Sequence, residues 1–330
     1  MRRFAVRVLL ATLVGALLPA CSSSGSDSPS TLLPYGRAAQ RIDGLWWFLF
    51  WIALGVFCVV VGMLLFGLFR RHRSEGRAGG EMPVILMGIV APTIILAIVF
   101  VVSVRDLNAL SAPANSKGLL VVDVIGHDWW WEVRYPSQGV VTANEIHIPT
   151  GRKVLLHLST GDVIHSFWVP QLSQKMDMIP GKTDRLLLQA ERRGTYRGQC
   201  AEFCGLEHAR MSFLVKAESP GQFQRWLGTQ TQPVGPTTGV AALGKRVFLH
   251  STCVGCHTIQ GTAAQATDGP DLTHFGSRST IAANTLPNTK GNLSAWIEDP
   301  QAIKPGALMP PAVVSPRQLH ALVTFLEGLK

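Results

Sequence analysis

The chain has 330 residues, of which 15% are charged and 47% hydrophobic, and its mean hydropathy is +0.23. A soluble globular chain carries about 25% charged residues, so this composition excludes extensive disorder and excludes a single water-soluble domain. The 30 Lys and Arg against 21 Asp and Glu give a net charge of +9, but no basic helix and no Lys/Arg cluster interleaved with aromatics accompanies it, so no nucleic-acid partner is expected.

Three uncharged runs hold the apolar surplus. The first, Val8 to Ala20, follows Arg2, Arg3 and Arg7, the pattern of a secretory signal peptide over 1–20. It is too short to span a bilayer, which takes about 20 apolar residues. Its end, Leu18-Pro19-Ala20-Cys21 before a Ser-rich stretch, resembles a bacterial lipobox. That resemblance implies lipidation at Cys21; ordinary cleavage leaving a free thiol is the alternative. An exported N-terminal segment, 21–43, follows. The second and third runs, 44–69 and 82–104, are bounded by Asp43, Arg70, Glu81 and Arg105 and are long enough to span. The loop between them, 70–81, holds Arg70, Arg71, Arg73 and Arg77, so the positive-inside rule makes it cytoplasmic. Both flanking parts then lie on the periplasmic or extracytoplasmic side of a bacterial inner (cell) membrane. Trp46 and Trp47 suit an interfacial belt, Pro92 introduces a tolerated kink, and Cys58 is an apolar filler within the first span.

Within a domain expected over 105–220, the pattern turns to period two from about residue 117. Leu119 to Val124, Val140 to Ile148, Val154 to Leu158, Arg185 to Leu188, Thr195 to Gly198 and Ser212 to Val215 are expected strands of an all-β sandwich. A Thr/Gln/Pro/Gly-rich linker is expected over 221–239. Over 240–330, apolar residues at helical spacing in Val240 to His250, Leu293 to Ile297 and Gln318 to Leu329 indicate an all-α domain.

The densest chemistry lies in Gly198-Gln199-Cys200-Ala201-Glu202-Phe203-Cys204-Gly205-Leu206-Glu207-His208-Ala209-Arg210-Met211. Thiolate, imidazole and a weak thioether are the ligand set of electron-transfer copper. One copper needs a single Cys; two thiolates can bridge two coppers, which then need a second imidazole. His165, in Asp162-Val163-Ile164-His165-Ser166, offers it. A Cys200–Cys204 disulfide and a Cys2His2 zinc site are the competing readings, and neither uses Met211. Cys253-Val254-Gly255-Cys256-His257 is the c-type haem attachment motif, with His257 as the proximal ligand. The opposite ligand is a Met or a His. Met309 is the only Met after Met211 and lies in a Pro-rich loop; His250, His274 and His320 are its competitors. His127, His147 and His157 have no ligand-like neighbours and are assigned structural roles.

Asp162 to Pro170, Lys175 to Gly181 and the Gly198–Met211 stretch together resemble subunit II of haem–copper cytochrome c oxidases. The fused haem motif makes the resemblance one to the caa3 type. Gly269-Pro270-Asp271-Leu272 and the Met309 loop are similar to parts of class I cytochromes c. The resemblance implies a two-helix transmembrane hairpin, a cupredoxin sandwich and a class I cytochrome c domain. It implies a binuclear copper A centre: His165 and His208 on one copper each, Cys200 and Cys204 bridging, and Met211 and the Glu202 carbonyl as weak ligands. The Glu202 carboxylate would reach a Mg ion shared with subunit I. Trp129, in Gly126-His127-Asp128-Trp129-Trp130-Trp131, would be the point where electrons enter the copper centre, with Trp131 filling the core. Electrons would pass from an upstream donor, a bc1-type complex or cytochrome c, to haem c, copper A and haem a of subunit I. There O2 is reduced and protons are pumped, with subunit III also in the complex. No residue of this chain would perform O2 chemistry. One departure is Ile85 where the family often has Glu at a proton-channel mouth; Glu81 lies a turn earlier. A copper-A-containing nitric oxide reductase subunit and a membrane-tethered electron carrier are the alternatives.

Overall fold

The computed structural model describes residues 29–69, 81–113, 115 and 117–330. The signal peptide, Cys21 and the arginine-rich loop lie outside the described residues. Two helices, Arg37–Phe69 and Glu81–Leu110, are apolar and long enough to cross a membrane. Each outlasts its apolar run. A 33-residue helix extends to about 50 Å, past the roughly 30 Å hydrocarbon core, so the expected limits at 44 and 104 mark where apolarity ends and not where the helices end. At the protruding end Arg41 bonds Asp106 at 3.4 Å and Arg37 bonds Glu191 of the sandwich at 2.9 Å. The N–H groups of Tyr35 and Gly36 donate to the Gln171 carbonyl at 2.8 and 3.0 Å. A Cβ on Gly36 would lie 2.2 Å from the Leu172 carbonyl oxygen, so only glycine permits this approach. In the second helix, Leu86–Val90 widens to a π-turn just before Pro92. Proline lacks an N–H and crowds the preceding turn, and the wider turn absorbs the mismatch.

The sandwich comprises β1 (Leu120–His127), β2 (Trp130–Tyr135), β3 (Val140–Ala143), β4 (Glu145–Pro149), β5 (Val154–Thr160), β6 (His165–Trp168), β7 (Met176–Met178), β8 (Asp184–Leu188), β9 (Gly194–Cys200) and β10 (Ser212–Glu218). One sheet has the order β3-β2-β1-β5-β8 and the other β4-β10-β9-β6-β7. The apolar run expected as one strand, Val140 to Ile148, is divided between the sheets at Asn144, whose φ is 62°. Asn tolerates this left-handed conformation. Its side-chain oxygen accepts from the Trp131 N–H at 2.9 Å, and its own N–H donates to the Trp131 carbonyl at 2.9 Å. Trp131, Phe167 and Phe213 form the aromatic centre of the core, with Phe167 and Phe213 stacked at 4.7 Å.

The expected linker over 221–239 is corrected in its first half, which forms a helix, Pro220–Gln230, opened by a Ser219/Gln222 capping box. Its Phe223 is buried, and its Trp226 stacks on His147 at 4.0 Å. The stripe Phe223, Trp226, Leu227 has helical spacing that the surrounding Thr/Gln composition masks. The C-terminal domain is built from helices Gly239–Leu249, Lys290–Glu298, Pro300–Ile303 and Pro316–Glu327, with the minor strand pair β11 (Thr280–Ile281) and β12 (Leu286–Pro287). Its first and last helices cross at Gly244, where a Cβ would lie 2.0 Å from the Ala321 carbonyl oxygen.

Candidate metal and haem centres

Strand register assembles the sulfur–imidazole cluster. β6 pairs with β9 so that Phe167 faces Cys200, and β9 pairs with β10 so that Gln199 faces Ser212. The loop between β9 and β10 therefore folds back beside the start of β6, which carries His165. The Cys200 N–H donates to the Met211 carbonyl and the Ala201 N–H to the Ser166 carbonyl, each at 2.9 Å. The cluster has two similar halves. Cys200 Sγ lies 3.8 Å from His165 Nδ1 and 3.2 Å from the Glu202 carbonyl oxygen. Cys204 Sγ lies 3.7 Å from His208 Nδ1 and 3.7 Å from Met211 Sδ. Cys200, Cys204, Met211 and His165 are buried, and both cysteines are free thiols, not a disulfide.

Burial disfavours a charged His165. The Asp162 carboxylate, 2.7 Å from Nε2, and the neighbouring Cys200 outweigh that effect and raise its pKa to about 9. The Asp162 bond also fixes the ring so that Nδ1 faces the sulfurs, the usual office of a carboxylate behind a ligating histidine. Asp162 sits within the sequence motif, but nothing in its spacing marks it for this task. A hydrogen bond from Cys204 is the largest influence lowering the Cys200 thiol, and the same bond raises Cys204. Two sulfurs sharing one proton suit a site that a cation completes. The donor set of two thiols, two imidazoles, a thioether and a carbonyl, with each cysteine beside its own imidazole, fits a copper pair. The Glu202 carboxylate is half-exposed and has Lys175 Nζ at 3.6 Å.

In the C-terminal domain, Cys253, Cys256, His257 and Met309 line one cavity of about 350 Å³. His257 Nδ1 donates to the Pro270 carbonyl at 2.8 Å, which leaves Nε2 as the nitrogen available to a metal. A Cβ on Gly269 would lie 2.8 Å from the His257 ring, so glycine lets the chain pass close beneath the imidazole. Apolar side chains, among them Leu272, Phe275, Leu293 and Trp296, line the cavity. Arg278 Nε and Thr280 Oγ1 also line it and are buried without partners. The Arg278 guanidinium donates through its terminal nitrogen to the Asp271 carbonyl, but its buried Nε is left unsatisfied, which is costly, and the acidic edge of a haem would satisfy it. Among the described residues, His250, His274 and His320 are not in this lining. His250 Nδ1 bonds the Arg246 carbonyl at 2.9 Å.

The sandwich supplies one wall of the same cavity through Asp128, Trp129, Trp130 and Asn144. Trp129 also reaches the sulfur cluster: its indole N–H donates to the Cys204 carbonyl at 2.8 Å. Gly205, at φ 110°, leaves room for the ring, since a Cβ there would lie 3.1 Å from it. Trp131 is fully buried in the core. His127 bonds Glu132 at 3.1 Å and stacks on Trp130, His147 faces Glu218 at 3.3 Å, and His157 bonds Asp123 at 3.0 Å. Two buried groups at the domain contact escaped the sequence reading. The Ser279 N–H and hydroxyl donate to Glu145 at 2.7 and 2.5 Å. The Lys304 ammonium donates to the Trp129 and Arg210 carbonyls at 2.7 and 2.9 Å. Burial pushes Lys304 down to about 8, against the opposing pull of Glu207. Glu145 belongs to no motif, and the Met309 loop that Lys304 opens gives no sign of this role, because the contact joins positions distant in sequence.

A two-helix membrane anchor, a cupredoxin-type sandwich and a helical cytochrome c domain define a class, the membrane-anchored electron-transfer subunits. The family profile for the periplasmic domain of cytochrome c oxidase subunit II matches residues 138–218, and the profile for cytochrome c matches residues 241–330. The chain is 33% identical over 320 residues to cytochrome c oxidase subunit 2 of Alkalihalophilus pseudofirmus, covering 93% of this chain and 92% of that one. It is 31% identical over 356 aligned residues to the Bacillus subtilis protein of the same name, covering 98% and 97%. A solved structure of the periplasmic domain of subunit II from Bradyrhizobium japonicum is 27% identical, covers 34% of this chain and 92% of that one, and has a TM-score of 0.33. The chain belongs to the cytochrome c oxidase subunit 2 family, in the form that carries a C-terminal cytochrome c domain. Its two domains imply copper A and haem c as cofactors.

Proposed function

We propose that this chain receives electrons for a haem–copper oxidase on its own cytochrome domain and passes them through its copper site to haem a of subunit I, where O2 is reduced and protons are pumped. When bound, the haem and the copper pair each supply a one-electron carrier. The observation that carries this reading is the placement of Trp129, which walls the haem cavity and bonds the Cys204 carbonyl.

The chain's own residues divide the work. His165, His208, Cys200 and Cys204 would hold the copper pair, with Met211 and the Glu202 carbonyl as weaker donors. Metal binding requires both thiols to lose their protons, and the Asp162-oriented His165 favours that at Cys200. Cys253 and Cys256 would form the haem thioethers, and His257 and Met309 would hold the iron; thioether ligation raises the haem potential, which suits a donor to copper. The half-exposed Glu202 carboxylate would face a Mg ion at the border with subunit I. Subunit III, a bc1-type complex or cytochrome c as upstream donor, and a periplasmic position for both soluble domains complete the reading.

The purified complex tests it. With reduced cytochrome c as donor it is expected to consume O2. Turnover on NO without O2 consumption would instead assign the chain to a nitric oxide reductase.

A further inference from the structure

We propose that Lys304 is the positioning residue that holds the haem domain against the copper loop, so that the two centres exchange electrons in one docked geometry instead of at the end of a searching tether. The inference rests on the functional reading above and concerns a residue that touches neither centre. Lys304 belongs to the C-terminal domain and is 3% exposed. Both carbonyls that its ammonium contacts, those of Trp129 and Arg210, belong to the sandwich. Trp129 is bonded to the Cys204 carbonyl, and Arg210 immediately precedes Met211. One side chain thus holds the two segments that flank the sulfur cluster.

The other end of the residue is fixed as firmly. The Lys304 N–H donates to the Pro300 carbonyl at 2.8 Å, and its carbonyl accepts from Ala307 at 3.0 Å. The same loop continues to Met309. With the domains apart the ammonium would be in water, and neither domain's own core calls for it. Burying an ammonium is costly unless it is paired, so its pairing is satisfied only in the docked arrangement. Apolar residues would cover this contact without selecting among orientations; directed donation to two carbonyls selects one. A separate set of contacts crosses at the Asn144 corner: Ser279 with Glu145, and Ser212 with the Ala283 carbonyl at 3.3 Å and with Asn284 at 3.2 Å. Lys304 is the bond that comes from the Met309 loop. The transfer it would position is of one electron, lost by the haem and gained by the copper site.

The test uses the full chain in its purified complex, with Lys304→Met, Lys304→Gln and Lys304→Arg. Three properties are read: the optical and EPR spectra, the haem-to-copper electron-transfer rate, and hydrogen exchange of the amides at 129–131 and 204–212. In the Met and Gln variants, native spectra, transfer slowed about tenfold or more and faster exchange at both segments are expected, since losing charge-assisted bonds shifts the docked population by that order. Lys304→Arg, which keeps the charge and the donors, is expected to recover much of the rate. Native spectra with a wild-type rate in either neutral variant would overturn the proposal, as would a slowed rate with unchanged exchange. If the wild-type complex lacks the copper or haem signals, the functional reading fails, and the exchange measurement still decides the docking role.

Discussion

Cys200 and Cys204 differ in proton affinity although their surroundings are nearly alike. The bond between them lowers the Cys200 thiol and raises Cys204, so the pair shares one proton, and a bound metal needs both sulfurs as thiolates. Cys200→Ser is therefore expected to abolish the dicopper EPR signal while leaving the haem spectrum intact. Met309→Ala is expected to do the reverse, changing haem ligation, read from its optical spectrum, without altering copper. At this scale much of the site was legible. Sulfur and imidazole at fixed spacing announce chemistry that few other residues can perform, and the structure brings His165, Cys200, Cys204, His208 and Met211 together. Asp162, Arg278, Glu145 and Lys304 were not legible in those roles, because their partners are carbonyls, rings or cavities that exist only after the chain has folded.

The elements show where apolar patterning stops being a guide. Asp43 and Arg105 each end an apolar run without ending a helix, since charge past the hydrocarbon boundary costs nothing in helical geometry. Asn144 divides a continuous apolar run because one left-handed residue moves the chain from one sheet to the other. The helix Pro220–Gln230 was hidden by a polar composition that three apolar residues override. In the cytochrome domain the pattern served better, and all three longer helices fall where their spacing places them. Their crossing depends on one atom: Gly244 lies against the Ala321 backbone, which cannot withdraw as a flexible side chain would. Gly244→Ala is expected to destabilise this domain by about 1–3 kcal/mol or more, seen as a lower Tm for the haem-bearing transition with the sandwich transition unmoved.

For the whole molecule, the contact between the two soluble domains matters most. Glu145 lies at that contact, facing His147, Lys216 and Ser279, with the Arg278 charge nearby. Burial raises its pKa, but His147, Lys216 and Ser279 outweigh burial and lower it from 4.5 to about 2. A depressed carboxylate stabilises the folded state above its ordinary pKa, and that stabilisation fades as pH falls toward the lowered value. Between pH 4.5 and about 2 the folded sandwich is therefore expected to lose stability at this contact, and Glu145→Gln should flatten that part of the stability profile. Composition and charge reveal nothing of this contact; they announced a membrane anchor and two kinds of exported domain, but not that one domain walls the other's cavity.

On the proposed reading, one chain holds both a copper pair and a haem c. The most direct measurement is the combined optical and EPR spectrum, with metal content, of the full chain purified apart from its partner subunits. The expected result is one low-spin haem c and a mixed-valence signal from two coppers. A single-copper signal, or a haem protein without copper, would contradict it.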